Sequence, residues 1–69
     1  MVEFTIKHND FIQLNDLLKV LHLVGTGGEA NVRISEGEAL VNGEVELRKR
    51  KKLRTGDVVE FAGEQIVIR

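Results

Sequence analysis

The chain opens on alternating apolar and polar side chains between Val2 and Ile6. A period of two residues is typical of a strand with one buried face, so we predict that this stretch is a strand. The polar residues His8, Asn9 and Asp10 favour a turn, and we expect the strand to end before them.

Four leucines then recur at spacings of three, four and seven residues, which place them on one face of a helix. We predict a first helix over roughly 13–22, with Lys19 pointing away from the apolar face. The glycine-rich stretch 25–28 is expected to stop this helix. The four leucines are Leu14, Leu17, Leu18 and Leu21.

A second helix is indicated by Thr26 and Glu29, which have the spacing of a capping box. In that motif the hydroxyl accepts the amide of the glutamate while the carboxylate reaches back to the cap. We predict a helix over about 27–36, with Gly37 at a position where a left-handed backbone would close it. The two short helices and their glycine-containing link would form a hairpin-like unit.

The second half of the chain has the pattern of short strands separated by turns. Asn42-Gly43 is the strongest short-range hairpin signal, and we expect the strands on either side of it to pair. Further turns are predicted around 55–57 and 62–64. The order of one strand, two helices and several strands predicts an α+β fold. The predicted strands are 39–41, 44–47, 58–61 and 66–68.

The composition is that of a small folded protein. A length of 69 residues, 42% of them hydrophobic, predicts one domain spanning 1–69. We find neither an apolar run long enough to cross a membrane nor the pattern of a signal peptide, and we expect a cytoplasmic protein. The chain has no cysteine, which excludes disulfides and thiolate metal sites.

Charge is distributed very unevenly along this chain. Six of its ten basic residues lie between Arg48 and Arg54, and this stretch contains no acid. The rest of the chain carries all eleven acids and only four bases. Clustered like charges are unfavourable unless water or a polyanion takes up their field. RNA or DNA is therefore the leading candidate partner, although the formal net charge is −1.

A solvated charged face is the ordinary alternative for such a run. Three features favour binding instead: five bases are consecutive, the run lies between predicted strands, and the remainder of the chain is acidic. The run would then be held on a folded surface, either as an exposed loop or as an edge strand with both sides in water.

Catalysis has little support among the polar residues. Ser35 is the only serine and falls near the end of a predicted helix, and neither His8 nor His22 has a partner at triad or metal spacing. The acids are dispersed, so we predict no metal site, no carboxylate pair and no cofactor. The chain is not expected to be an enzyme or to take a small-molecule substrate.

The glycine-rich stretch from Gly25 to Gly28 precedes a predicted helix, where backbone amides could cradle a phosphate. The phosphate-loop pattern with its lysine is missing, so a flexible link between helices is the favoured interpretation. The same amides remain candidates for contact with one RNA phosphate.

Aromatic content bears on the kind of nucleic acid. There is no Trp or Tyr, and the three phenylalanines, Phe4, Phe11 and Phe61, are expected mostly in the core. Proteins that bind single strands need exposed rings for base stacking. Phosphate contact and shape recognition of folded RNA is therefore favoured over the reading of unpaired bases.

Several of these motifs, in this order, resemble the alpha-L RNA-binding domain. This is the domain of the fourth protein of the small ribosomal subunit (the S-four domain), and the likeness is greatest to small bacterial proteins that consist of it alone. It covers roughly residues 13–61. The matching segments are Leu14 to Lys19, Thr26 to Ala30, Ile34, Gly37, Val41-Asn42-Gly43 and Gly56 to Val59.

The resemblance implies two short helices packed on a small, mostly antiparallel sheet, and binding to structured RNA, commonly ribosomal or transfer RNA, without catalysis. Many family members have Arg where this chain has Gln13 and Gly27. We expect the basic run, helped by Lys19 and Arg33, to compensate for these two losses. The ribosome itself is a candidate partner.

The leading hypothesis is a non-enzymatic RNA-binding protein. The alternative is a protein–protein interaction module that docks its basic run on an acidic, ribosome-associated partner. The predicted RNA-binding residues are Lys19, Thr26, Gly27, Gly28, Arg33, Asn42, Gly43, Arg48, Lys49, Arg50, Lys51, Lys52 and Arg54.

Overall fold

Two short helices and seven strands make up the regular structure of residues 1–6 and 10–69, which the computed structural model describes. His8 and Asn9, where a turn was predicted, lie outside the described residues. The elements in chain order are β1 (Val2–Phe4), β2 (Ile12–Gln13), α1 (Leu14–Val20), α2 (Gly27–Ser35), β3 (Ala39–Val41), β4 (Glu44–Val45), β5 (Lys52–Leu53), β6 (Val58–Phe61) and β7 (Glu64–Ile68).

Helix α1 ends at its own C-terminal motif and not at the glycine-rich stretch that was predicted to stop it. The amide of Leu23 donates to the carbonyl of Leu18 at 3.0 Å, and the amide of His22 donates to Lys19 at 3.1 Å. These are the two hydrogen bonds of a Schellman motif. His22 occupies its left-handed position with φ 59°, so the helix is closed by a histidine before the chain reaches Gly25.

Helix α2 begins and ends close to its predicted limits. The hydroxyl of Thr26 accepts the amide of Glu29 at 3.1 Å, as the capping box requires. The carboxylate of Glu29 reaches back one residue farther than that motif specifies and accepts the amide of Gly25 at 2.8 Å. At the other end Gly37 has φ 83°, which confirms the predicted left-handed stop.

The main sheet has five strands in the order β1-β7-β6-β3-β4, and its β1–β7 pair is parallel while the other pairs are antiparallel. Asn42 and Gly43 both have positive φ, as a type I′ turn requires, and they join β3 to β4. Ala62 and Gly63 repeat this arrangement between β6 and β7. Strand β4 covers only the first half of the return strand predicted over 44–47.

A second, two-stranded sheet pairs β2 with β5 in antiparallel orientation. The sequence pattern did not predict it. Because of this pairing, the end of the basic run lies beside the residues that lead into α1.

The core lies between the two helices and the main sheet. Leucines of α1 and the residues Ala30 and Ile34 of α2 are buried against Val59, Phe61 and the inner residues of β7. Phe4 packs against this core, whereas Phe11 belongs neither to it nor to the set of side chains packed on it. Two of the three phenylalanines are therefore where they were predicted to be.

Within residues 1–6 and 10–69, no helix has the length and apolar character needed to cross a membrane.

Candidate nucleic-acid interface

The basic run, residues 48–54, is a loop that ends in strand β5 and is fixed by backbone hydrogen bonds. The amide of Leu14 donates to the carbonyl of Lys51 at 2.9 Å, and the amide of Asn15 donates to Lys49 at 2.9 Å. Leu53 has no exposed surface and belongs to the core. We call this segment the basic loop. It combines the two forms considered from the sequence, an exposed loop and an edge strand.

The basic side chains of this loop converge on one surface. Five of them line an open depression of about 480 Å³. The sixth, Lys49, is also exposed. The charges are therefore concentrated and not dispersed to opposite sides of the molecule. The five residues that line the depression are Arg48, Arg50, Lys51, Lys52 and Arg54.

Arg48 differs from its neighbours because a carboxylate neutralises it. Its guanidinium donates to both oxygens of Glu46 at 2.9 and 3.0 Å, and its backbone amide donates to the same carboxylate at 2.9 Å. These hydrogen bonds, more than the nearby charges of Arg48 and Lys51, lower the pKa of Glu46 to about 2 against the opposing effect of burial. The same contact raises the pKa of Arg48.

This contact predicts a pH dependence of stability. The folded pKa of Glu46, about 2, lies below its ordinary value of 4.5, so folding favours the charged form. The stabilisation is complete above about pH 4.5 and is lost as the pH falls toward about 2. We expect Glu46→Gln to unfold at a lower urea concentration than the wild type at neutral pH, and the difference to shrink across that window.

The control for this measurement is Glu44→Gln. Glu44 is an exposed neighbour that forms no ion pair within the described part of the chain. Its substitution should leave the urea midpoint nearly unchanged at neutral pH. A Glu46→Gln variant as stable as the wild type at pH 7 would show that the contact between Glu46 and Arg48 does not stabilise the fold.

The far end of the basic loop is held by a small polar network. The carboxylate of Asp57 accepts the backbone amide of Arg54 at 2.8 Å and the side-chain amide of Asn42 at 3.0 Å. The side-chain carbonyl of Asn42 in turn accepts the amide of Val58 at 2.9 Å. Asn42 therefore uses both ends of its side chain to connect the β3–β4 turn, which includes Gly43, to the loop.

The helical side of the surface carries fewer available charges. Arg33 lies 3.0 Å from Glu38 and 3.6 Å from Glu29, and its guanidinium is 4.5 Å from the centre of the Phe61 ring. Lys19 is exposed on α1, where it borders a groove with Phe11.

The start of α2 is formed by residues that were predicted to contact RNA. Thr26 is the N-cap, and Gly27 and Gly28 are the first two residues of the helix. The two helices are also joined by a hydrogen bond of 3.1 Å between the side chains of Asn15 and Asn31.

Ion pairing thus divides the predicted basic residues into two groups. Arg33 and Arg48 each have a carboxylate within 4.0 Å. In the described ranges, the other six form no salt bridge. They are Lys19, Lys49, Arg50, Lys51, Lys52 and Arg54.

Sequence reasoning missed three residues that shape this surface: Glu46, Asp57 and Phe11. Glu46 could have been found, since an acid two residues before the first arginine of a basic run is a natural partner for it. The roles of Asp57 and Phe11 depend on contacts across the fold, with Asn42 in one case and with strand β5 in the other.

Comparison with known proteins gives matches to one family and to two named relatives. The family model of the S4 domain matches residues 4–69. "Putative RNA-binding protein YbcJ" of Escherichia coli (strain K12) is 37% identical over 68 residues, which are 99% of this chain and 97% of that protein. "Probable ribosome maturation protein RlbA" of Bacillus subtilis (strain 168) is 43% identical over 54 residues, 78% of this chain and 76% of that protein.

The structural comparison agrees with these matches. The solution structure of YbcJ from Escherichia coli, described as having an alpha-L motif involved in RNA binding, superimposes with a TM-score of 0.74 at 37% identity. The match covers 99% of this chain and 86% of the other.

Proposed function

Because this chain belongs to the S4 domain family and has the alpha-L fold, we propose that it is a non-enzymatic RNA-binding protein. It contacts the phosphate backbone of structured RNA, either ribosomal or transfer RNA. The observation that carries this proposal is the depression lined by five basic side chains, four of which have no carboxylate partner in the described structure. The name of one relative, "Probable ribosome maturation protein RlbA", supports ribosomal RNA as the ligand and association with the ribosome.

The basic loop suits a phosphate backbone better than a single small anion. Its cations are spread along an open surface, so they match a row of phosphates and not one enclosed group. Arg50 and Arg54 have guanidinium groups that can hold a phosphate by two hydrogen bonds. The acids elsewhere on the chain repel RNA from the other faces and orient the loop toward it.

The remaining predicted residues have different parts in this proposal. Lys19 extends the cationic surface along α1, and the first amides of α2, at Gly27 and Gly28, offer one further phosphate contact beside the Thr26 cap. Arg33 and Asn42 serve mainly as positioning residues, because their polar groups are already bonded within the protein.

The proposal predicts a strong dependence on salt. If about four phosphates are neutralised, the logarithm of the affinity should fall with the logarithm of salt concentration at a slope near −3 to −4. A gel shift with total ribosomal and transfer RNA, repeated across salt concentrations, measures this slope. An affinity for RNA that does not change with salt would contradict a phosphate-based interface.

A second experiment distinguishes RNA from an acidic protein as the binding partner. Binding partners recovered from a cell extract should be lost when the extract is treated with nuclease. Co-purification that survives nuclease treatment, together with no gel shift, would replace the proposal with a protein-docking module.

A further inference from the structure

Phe11 lies at the edge of the proposed interface and not in the core. The ammonium nitrogen of Lys52 is 4.9 Å from the centre of its ring, and the guanidinium carbon of Arg54 is 5.8 Å from it. Strand β2 begins directly after Phe11, and Ile12 pairs with Leu53. This register brings the ring beside the end of the basic loop. An aromatic ring is thus fixed next to two cations that have no carboxylate partner in the described structure.

The ring also lines an open groove of about 790 Å³ alongside α1. The polar groups of this groove differ from those of the basic loop: they are two carboxylates, one amide and one lysine. They belong to Asp10, Asp16, Gln13 and Lys19. Carboxylates repel phosphate, so the groove suits the neutral, hydrogen-bonding part of a nucleotide better than its charged part.

We infer that this groove takes one unstacked nucleobase of the bound RNA, which stacks on Phe11 while Lys52 and Arg54 hold its phosphate. The inference rests on the proposed RNA-binding function and specifies one subsite of it. Base–aromatic stacking is available to every base because each has a π-face. The carboxylates of Asp10 and Asp16 accept hydrogen bonds from an exocyclic amino group, which cytosine, adenine and guanine have and uracil lacks.

The test compares a blunt RNA duplex with the same duplex carrying a short single-stranded tail of cytidines. We expect the tail to raise the affinity of the wild type roughly tenfold, within the range measured for stacking of one base. Phe11→Leu keeps an apolar side chain and removes the ring. It should lose the gain from the tail, measured as the ratio of its own affinities for the tailed and the blunt duplex.

Phe11→Trp is the matched variant that retains stacking. Since the chain has no other tryptophan, its fluorescence reports on this position alone. We expect Phe11→Trp to keep the gain from the tail, and its fluorescence to be quenched by the tailed duplex and not by the blunt one. A ring that only supports the stems of Lys52 and Arg54 would give no such quenching.

A tail of uridines tests the part played by the carboxylates. The cytidine tail should bind more tightly than the uridine tail, and Asp16→Asn should reduce that preference. Equal binding of tailed and blunt duplexes by the wild type, or an unchanged gain in Phe11→Leu, would overturn the subsite and leave the proposed function intact. Failure of the wild type to bind these duplexes and also total ribosomal and transfer RNA would instead overturn the proposed function.

Discussion

Reversal of both Arg50 and Lys51 to glutamate is expected to lower the affinity for RNA at least about 100-fold, since charge-assisted hydrogen bonds contribute roughly 1.5–3 kcal/mol each. Both side chains line the depression of the basic loop, and neither has a carboxylate partner in the described structure. The loss should be similar for different RNA sequences, because phosphates carry no sequence information. Fluorescence anisotropy with labelled RNA measures the loss, and repeated at several salt concentrations it should show the slope reduced by about two.

A control variant with the same change in net charge shows whether the effect depends on the position of the substituted residue. Arg50→Glu and Arg69→Glu change the net charge by the same amount. Arg69 lies outside the basic loop, where it pairs with Glu3 at 3.1 Å. We expect a large loss of affinity for the first variant and a small one for the second. Equal losses would show that RNA responds to the overall charge of the molecule. Unchanged affinity in the Arg50→Glu/Lys51→Glu variant would exclude the basic loop as the RNA-binding surface.

The parts of the fold that could be predicted are those specified by sequence patterns only a few residues long. The leucine spacing of α1, the cap at Thr26 and the turns with positive φ at Gly37 and Gly43 each depend on local geometry. The structure confirms them. The α+β class is confirmed for the same reason, because it depends on the order of locally specified elements. The mostly antiparallel sheet, which the family resemblance implied, is confirmed as well. The limits of these predicted elements shift by a few residues, as when α1 closes at His22.

The small sheet of β2 and β5 was not predictable in this way. Each strand has two residues, which are too few to show a periodic pattern. The two strands also lie far apart in the sequence, so no local signal indicates that they pair. Leu53 was the available clue, since an apolar side chain within a basic run needs a place to be buried. The position of Phe11 follows from the same pairing. The composition predicted only that most of the phenylalanines lie in the core, and it could not show which one does not.

Leu53 therefore connects the stability of the fold to the position of the binding surface. Its side chain is completely buried, while its neighbours Lys52 and Arg54 are exposed. We expect Leu53→Ala to lower the free energy of unfolding by about 2–5 kcal/mol, because it removes buried methyl groups and leaves a cavity. A loss of that size is a large part of the stability of a domain this small, so the variant should be close to unfolding under ordinary conditions.

Urea unfolding measures this effect, with Leu53→Met as the control, since a substitution of similar volume should cost less than about 1.5 kcal/mol. Leu53→Ala retains every charge of the basic loop. The salt slope of the folded fraction should therefore be unchanged, whereas Arg50→Glu/Lys51→Glu changes it. The affinity of the folded fraction for RNA should still fall, because the basic loop loses its buried anchor. If Leu53→Ala were as stable as the wild type, the basic loop could not be anchored through this side chain. Its position would then have to depend on the backbone hydrogen bonds to Leu14 and Asn15 alone.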